Sequence, residues 1–287
     1  MKQKTFLVPV VTPFNSDESV NYNELKKLVK KVLTDGADGL YVGGASSEFL
    51  LLTREERKKV LETAISAADG AYVCAHIGDA SAAGAEDYAR HAKKAGADSV
   101  ASVPPFWFPY TFDEIKYYYE AIADASELPV VIYNIPSASK ITFSAEQFYE
   151  LFRDRRIFSV KYTDCDYYVM ERIKTKTGAF IYSGSDQNFL SALAAGADGG
   201  IGTTFNFMMK KYLDIKREFD SGNNVAALKI MTSANNITEQ VVKKFCLMGT
   251  KYILSLQGIE AGNCRRPFRE LTEDEKKALK KVYYDNI

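Results

Sequence analysis

The run 157–163, IFSVKYT, sets one lysine, Lys161, inside an apolar stretch with strand character, close to its end. Apolar surroundings disfavour the ammonium ion, so an amine there becomes neutral more readily. A neutral amine attacks a carbonyl carbon and forms an imine, which then acts as an electron sink. A second run, VVIYNIP at 130–136, carries Tyr133, whose phenol can pass a proton to or from a carbonyl oxygen or an alkoxide. A third, VGGASSE at 42–48, has two glycines followed by small residues. In such a loop the backbone N–H groups around Gly44, Ala45 and Ser46 can cradle an anion such as a carboxylate. The loop lacks the G-K-[ST] ending of a phosphate loop. Each pattern alone has a plainer reading. A strand lysine often snorkels to water or pairs with a carboxylate, here Asp164 or Asp186, and a buried tyrosine is often only a packed core residue.

Elements must bring these groups together. Short apolar or β-branched runs recur at 6–11, 39–42, 72–77, 99–103, 130–133, 158–162, 180–182 and 200–204. Between them lie segments of helical periodicity, among them 23–33, 54–68, 82–95, 112–123 and 145–152. Thr53, Thr111 and Ser144 stand where N-caps belong. A Gly-Ala-Asp echo at 36–38, 96–98 and 196–198 falls where a helix should end and a strand begin, and glycine suits a left-handed helix C-cap. Eight alternating units predict parallel strands joined by crossovers and closed into a (β/α)8 TIM barrel. A doubly wound sheet is disfavoured because no G-x-G-x-x-G turn follows any strand. On a barrel, chemistry sits at the C-terminal strand ends, so Tyr133 and Lys161 would be neighbours on the fifth and sixth strands. Beyond residue 206 the pattern is helical only, at 208–219, 224–248 and 272–284. The expected division is a catalytic barrel at 1–224 and a C-terminal helical extension at 225–287 packed on it. Positions 244–249, KFCLMG, read as apolar all round and suggest a contact with the barrel or a neighbouring subunit.

Composition narrows the classes. The 37 Lys and Arg balance the 37 Asp and Glu, leaving no field to hold nucleic acid or an acidic membrane surface. Four cysteines without C-x-x-C spacing read as reduced cytosolic thiols. The only histidines, His76 in the third strand and His91 in a helix, read as core or surface residues; they supply neither a zinc site nor a serine triad. The opening MKQKTFLVPVVTPF superficially suggests a signal peptide, but Pro9 and Pro13 interrupt it, and it reads as a first strand of a soluble, cytoplasmic protein. The 18 tyrosines and 17 phenylalanines are mostly packing. The exception is FWFPY at 106–110, around Trp107, too aromatic for an idle loop and expected to line the mouth or a subunit contact.

Taken jointly, these residues resemble the N-acetylneuraminate lyase and dihydrodipicolinate synthase family across nearly the whole chain. The most specific piece is Tyr133-Asn-Ile-Pro-x-x-Ser139-x-x-x-Phe143, then thirteen residues, then Ile157-x-Ser-Val-Lys161-x-Thr163, which is similar to the family's Schiff-base signature. The run Gly43-Gly44…Glu48 resembles its pyruvate-carboxylate loop, and 199–206, GGIGTTFN, its strand-eight loop with Gly202 and Thr203. The resemblance implies a pyruvate-forming class I aldolase, a homotetramer with no metal and no dissociable cofactor. Lys161 would form the imine and Tyr133 act as acid and base. The Gly44–Ser46 loop would hold the carboxylate, while Thr163, Gly184, Asp186, Gln187, Gly202 and Thr203 would line the polyol. The synthases carry an arginine two residues past the proline of the tyrosine motif, and here that place is Ala138. The lyases carry G-x-D-E after strand seven, and here the run is Gly184-Ser-Asp186-Gln187. The lyase branch is therefore the nearer one, with N-acetylneuraminate or a related 2-keto-3-deoxy sugar acid as substrate. The alternatives are a sugar-acid dehydratase, another pyruvate aldolase or a non-catalytic binding barrel.

Two departures fall on one proton path. The family loop reads G-G-S-T-G-E or G-T-T-G-E, whereas Ala45 here replaces the first hydroxyl residue and Ser47 the following glycine. Trp107 occupies the place of a tyrosine that the family donates across a subunit interface to the same relay. The expectation is that imine formation survives while the aldol partner or the proton route differs.

Overall fold

A computed structural model of the chain describes residues 4–287, apart from the side chains of residues 243–245. Of the apolar run at 244–249, the side chains of Lys244 and Phe245 therefore lie outside the described residues. The strands are β1 (Leu7–Pro9), β2 (Gly39–Val42), β3 (Tyr72–His76), β4 (Ser99–Ser102), β5 (Val130–Asn134), β6 (Ile157–Tyr162), β7 (Phe180–Ser183) and β8 (Gly199–Gly200). They form one parallel sheet in sequential order, and a parallel bridge between Phe6 and Gly200 brings its two edges together. The helices between them are α1 (Tyr22–Thr34), α2 (Arg54–Ala68), α3 (Ala82–Ala95), α4 (Phe112–Ser126), the single turn α5 (Pro136–Ser139), α6 (Ala145–Leu151), α7 (Tyr167–Thr177) and α8 (Phe189–Ala194). After β8 come α9 (Phe205–Asp220), α10 (Asn224–Leu256) and α11 (Glu273–Asn286). This is a TIM barrel followed by C-terminal helices.

Local chemistry explains where the helices start. Thr53, Thr111 and Ser144 each close a reciprocal capping box with Glu56, Glu114 and Gln147, and Thr272 does the same with Glu275. Each box satisfies two backbone donors that the first helical turn leaves orphaned, a contribution of about 1 kcal/mol. The Gly-Ala-Asp echo has a second cause beyond its glycines, which do take positive φ. Asp38 accepts the N–H groups of Thr5 and Phe6, Asp98 that of Val73, and Asp198 that of Ile181. Each aspartate thus enters its own strand while gripping the strand before it, so β1–β2, β3–β4 and β7–β8 are latched in pairs.

The β5–β6 pair has no such latch and is irregular. Val130 pairs with Ile157 but Val131 with Ser159, which leaves Phe158 as an extra residue. From there Tyr133 stands opposite Lys161, and Lys161 in turn opposite Tyr182.

One apolar core fills the space between strands and helices, and a second fills the barrel itself with Leu7, Tyr41, Cys74, Val131, Tyr133 and Tyr182. On α10 the buried positions Ala227, Met231, Ala234, Ile237 and Val241 recur every three or four residues and form one stripe, and the helix packs against α9 and α11. Two expectations need correction. The eighth strand was expected at 200–204 but spans only Gly199–Gly200. Beyond it the chain curls into α9: Thr204 N–H reaches the Asp186 carboxylate at 2.7 Å, and Phe205 N–H the carbonyl of Gly202. The first strand, expected at 6–11, stops at Pro9, after which the Val10 carbonyl accepts the Ser47 hydroxyl instead of a ladder bond. All four cysteines are unbridged. Among the described residues no helix is long and apolar enough to cross a membrane.

Candidate active site

Strand alternation turns Tyr41, Tyr133, Lys161 and Tyr182 into the barrel, and two of these rings enclose the lysine. Lys161 is 4% exposed, with its Nζ 4.0 Å from the centroid of Tyr133 and 4.7 Å from that of Tyr41. Burial pushes its pKa down to about 7, against a smaller upward pull from Asp186 and then Cys74. A substantial fraction of the amine is then neutral near pH 7, the form that adds to carbonyls. Asp164 does not serve as its partner: its carboxylate accepts the N–H of Cys165. Burial holds the Tyr133 phenol above its ordinary range, so it remains protonated and able to donate; a hydrogen bond with Thr163 works in the other direction.

The other expected residues ring this pair. Gly44 starts a tight 3-10 turn, Ala45–Ser47. The Ser46 hydroxyl meets the Thr203 hydroxyl at 2.8 Å, joining the loop after β2 to the loop after β8. Ser47, which departs from the family pattern, is a buried stitch: its hydroxyl donates to Val10 O at 2.6 Å and accepts Gly43 N–H at 3.2 Å. Its own carbonyl accepts the Thr12 hydroxyl at 2.8 Å. Thr163 Oγ1 is buried beside the Tyr133 phenol, at the side of the site where a ligand hydroxyl would be met. Gly184 packs so closely that a Cβ there would collide with Thr163 and sit 3.3 Å from Cε of Lys161. A Cβ on Gly202 would likewise collide with Asp186. Asp186 is buried, its pKa raised by that burial and lowered in part by its bonds to Thr204. Gln187 is exposed on the rim, and its carbonyl accepts Asn235 of α10 at 3.1 Å.

Two residues stand apart from this ring. Ala45 is exposed and lies with Tyr133 and Phe49 on the wall of a cavity of about 800 Å³. The far wall of that cavity carries Phe106, Trp107 and Phe108. Trp107 is 87% exposed and holds a positive φ, uncommon for a bulky residue.

Sequence reasoning missed two contributors. Tyr41 forms half of the ring enclosure around Lys161; its place two residues before Gly43, on the inward face of β2, was the available signal. His76, read as a core or surface residue, is indeed buried, but its ring lies 5.9 Å from Tyr133 and 4.7 Å from Phe49, under the mouth. Its Nδ1 must donate to the Gly43 carbonyl, 2.9 Å away, since a carbonyl only accepts. Burial, aided by Arg57, lowers its pKa to about 3, so the ring is neutral and Nε2 is a buried acceptor without a partner among the described residues. Among the described residues no three His, Cys, Asp or Glu side chains gather as a metal site would require.

The fold and these groups define a (β/α)8 barrel with a desolvated lysine and a protonated tyrosine at the carboxyl-terminal rim. The chain belongs to the dihydrodipicolinate synthetase family, whose model matches residues 2–285. An N-acetylneuraminate lyase 2 of Escherichia coli O6:H1 is 35% identical over 275 residues, which cover 94% of this chain and 90% of that protein. The protein CdNal of Clostridium difficile, solved in complex with mannosamine, is 29% identical and superposes with a TM-score of 0.97 over 100% of both chains. A Ruminococcus gnavus sialic acid aldolase, solved as a catalytic lysine mutant, is 26% identical with a TM-score of 0.92, covering 99% of this chain and 98% of that one.

Proposed function

We propose that this chain is a Schiff-base aldolase that cleaves N-acetylneuraminate, or a related 2-keto-3-deoxy sugar acid, to pyruvate and an aldehyde, N-acetylmannosamine in the case of sialic acid. The observation that carries the reading is Lys161: a buried amine with its pKa lowered to about 7, against the ring of Tyr133 at the end of the adjacent strand. Neutral Nζ adds to the substrate's keto carbon, and the former carbonyl oxygen leaves as water, with Tyr133 supplying and recovering protons. Loss of the proton from the hydroxyl two carbons along breaks the C–C bond. The electron pair flows to the iminium nitrogen, giving an enamine and a free aldehyde. Protonation of the enamine and hydrolysis of the imine release pyruvate. Because the iminium nitrogen is the electron sink, the scheme invokes neither a metal nor a dissociable cofactor.

In this reading the Gly44–Ser46 loop binds the carboxylate through backbone N–H groups and the Ser46 hydroxyl, and Thr163, Asp186, Gln187 and Thr203 meet the polyol. Gly184 and Gly202 leave room for those side chains. We assign the barrel to 1–224 and the extension to 225–287, and propose a cytoplasmic homotetramer with Trp107 at a subunit contact or the mouth. Exposed Ala45 supports a second reading, in which the imine forms but the aldol partner differs or the reaction ends in dehydration. Product analysis separates these outcomes: cleavage yields pyruvate with an aldehyde whose identity gives the partner, whereas dehydration releases no aldehyde fragment.

The test is treatment with pyruvate and borohydride, followed by peptide mass mapping. A reduced pyruvyl adduct on Lys161 is expected, and no adduct on folded protein overturns the reading. The trapping rate should rise as pH passes through about 7 and level off above it, because the neutral amine is the reactive form. A rate that is flat between pH 5 and 9 would break the assignment of Lys161 as the desolvated nucleophile.

A further inference from the structure

The site described above uses the turn after β2 but not the charged pair formed by the residue that closes it. Glu48, the next residue, takes a left-handed conformation with φ 57° and closes the turn by donating its N–H to Ala45 O at 3.0 Å. Its carboxylate is 0% exposed and lies 2.7 Å from Nζ of Lys251, itself 1% exposed, on α10. The second carboxylate oxygen accepts the N–H of Arg265 at 2.9 Å. Lys251 also donates to Asn263 O at 3.1 Å and rests 4.2 Å from the ring centroid of Phe14.

Burying two ions strips both of water, and a well-packed apolar pair of similar size stabilises a fold as well or better. Stability alone is therefore a poor account of this pair. Its position suggests another. Glu48 is the residue that closes the turn, so what holds its carboxylate, Lys251 on α10, also holds the turn. The same helix grips the opposite side of the site, where Asn235 holds the Gln187 carbonyl. These two contacts are sixteen positions apart on α10, about 24 Å at 1.5 Å per residue.

We propose that Glu48 and Lys251 are positioning residues that hold the anion-binding turn against α10, so that the ion pair sets affinity for the substrate carboxylate. This inference rests on the aldolase reading and deepens it.

The experiment compares the parent protein with the size-matched neutral double variant Glu48→Gln/Lys251→Met. It reads the pyruvate concentration giving half-maximal borohydride trapping on Lys161, the trapping rate at saturation, and Tm. Half-saturation should rise at least tenfold, with the saturated rate within threefold of the parent and Tm unchanged or higher. Lys251→Arg, which keeps the cation, should restore half-saturation to within threefold. If the double variant does not fold, Glu48→Gln alone is read in the same way. Half-saturation within twofold of the parent, whatever Tm does, overturns this inference alone. No adduct in the parent overturns the aldolase reading and this inference with it.

Discussion

The turn after β2 and the segment after β4 both face the barrel mouth, and they are held in opposite ways. Ala45–Ser47 is tied to Val10, Thr12 and Thr203 by side-chain hydrogen bonds, and is backed by the buried Glu48–Lys251 pair. The 106–110 segment, in contrast, turns its largest rings outward, with Trp107 87% and Phe108 61% exposed. A fixed cradle suits a group that every turnover must place identically, such as a carboxylate beside an imine carbon. Outward aromatic rings suit a surface completed by something else, and an exposed tryptophan with a large apolar neighbour is an effective anchor for a partner surface. The first region thus carries its constraints within the chain, while the second is proposed to receive them from another subunit.

The comparison breaks most sharply on a single methyl group. In Gly44→Ala the new Cβ would sit 2.5 Å from Cε1 of Tyr41, so the turn must shift and the ring that encloses Lys161 must move with it. Trapping at Lys161 should fall by about a hundredfold, the scale at which small misplacements cost rate. A loss below threefold would show that the turn is not rigid. Next is Ser46→Ala, which removes the link to Thr203; at about 1 kcal/mol for one hydrogen bond, half-saturation by pyruvate should rise between about threefold and tenfold. Ala45→Ser restores a hydroxyl at the point where the tied turn meets the loose wall. Turnover of N-acetylneuraminate should increase several-fold, and turnover equal to the parent's would count against an altered proton route. The smallest catalytic effect is expected from the largest deletion. Trp107→Ala should shift the sedimentation profile toward smaller species while trapping falls by less than about threefold. An unchanged profile would remove Trp107 from the subunit contact.

How much of this could be read from the chain alone depended on whether the cause was local. Helix starts at Thr53, Thr111 and Ser144 were legible because a capping box is completed within four residues. The Tyr133–Lys161 neighbourhood was legible because sequential strands of a barrel lie side by side. The contact between Ser46 and Thr203, 157 positions apart, was not, and neither was the pairing of Glu48 with Lys251. Such contacts depend on where the barrel closes and where α10 comes to rest, which no short window contains. The shortened β8 was missed for a related reason: the groups that pull 202–204 out of the ladder, Asp186 above all, belong to another loop. His76 and Tyr41 read as packing, and they are packed; only the closed barrel shows that they are packed beside the lysine.

The extra residue at Phe158 bears on how this protein tolerates changes in length. Counting straight on from the Val130–Ile157 pairing, Tyr133 would face Val160, and the lysine would take the next place, on the opposite side of the strand. The odd residue reverses the inside–outside parity of everything after it on β6. Deleting Phe158 would make the pairing regular, with Val131 opposite Ser159 directly after Val130 opposite Ile157, and would leave the amine facing Tyr133. Inserting a residue there would add a second unpaired position or turn the amine among the surrounding helices. This strand therefore has one residue to spare in one direction and none in the other.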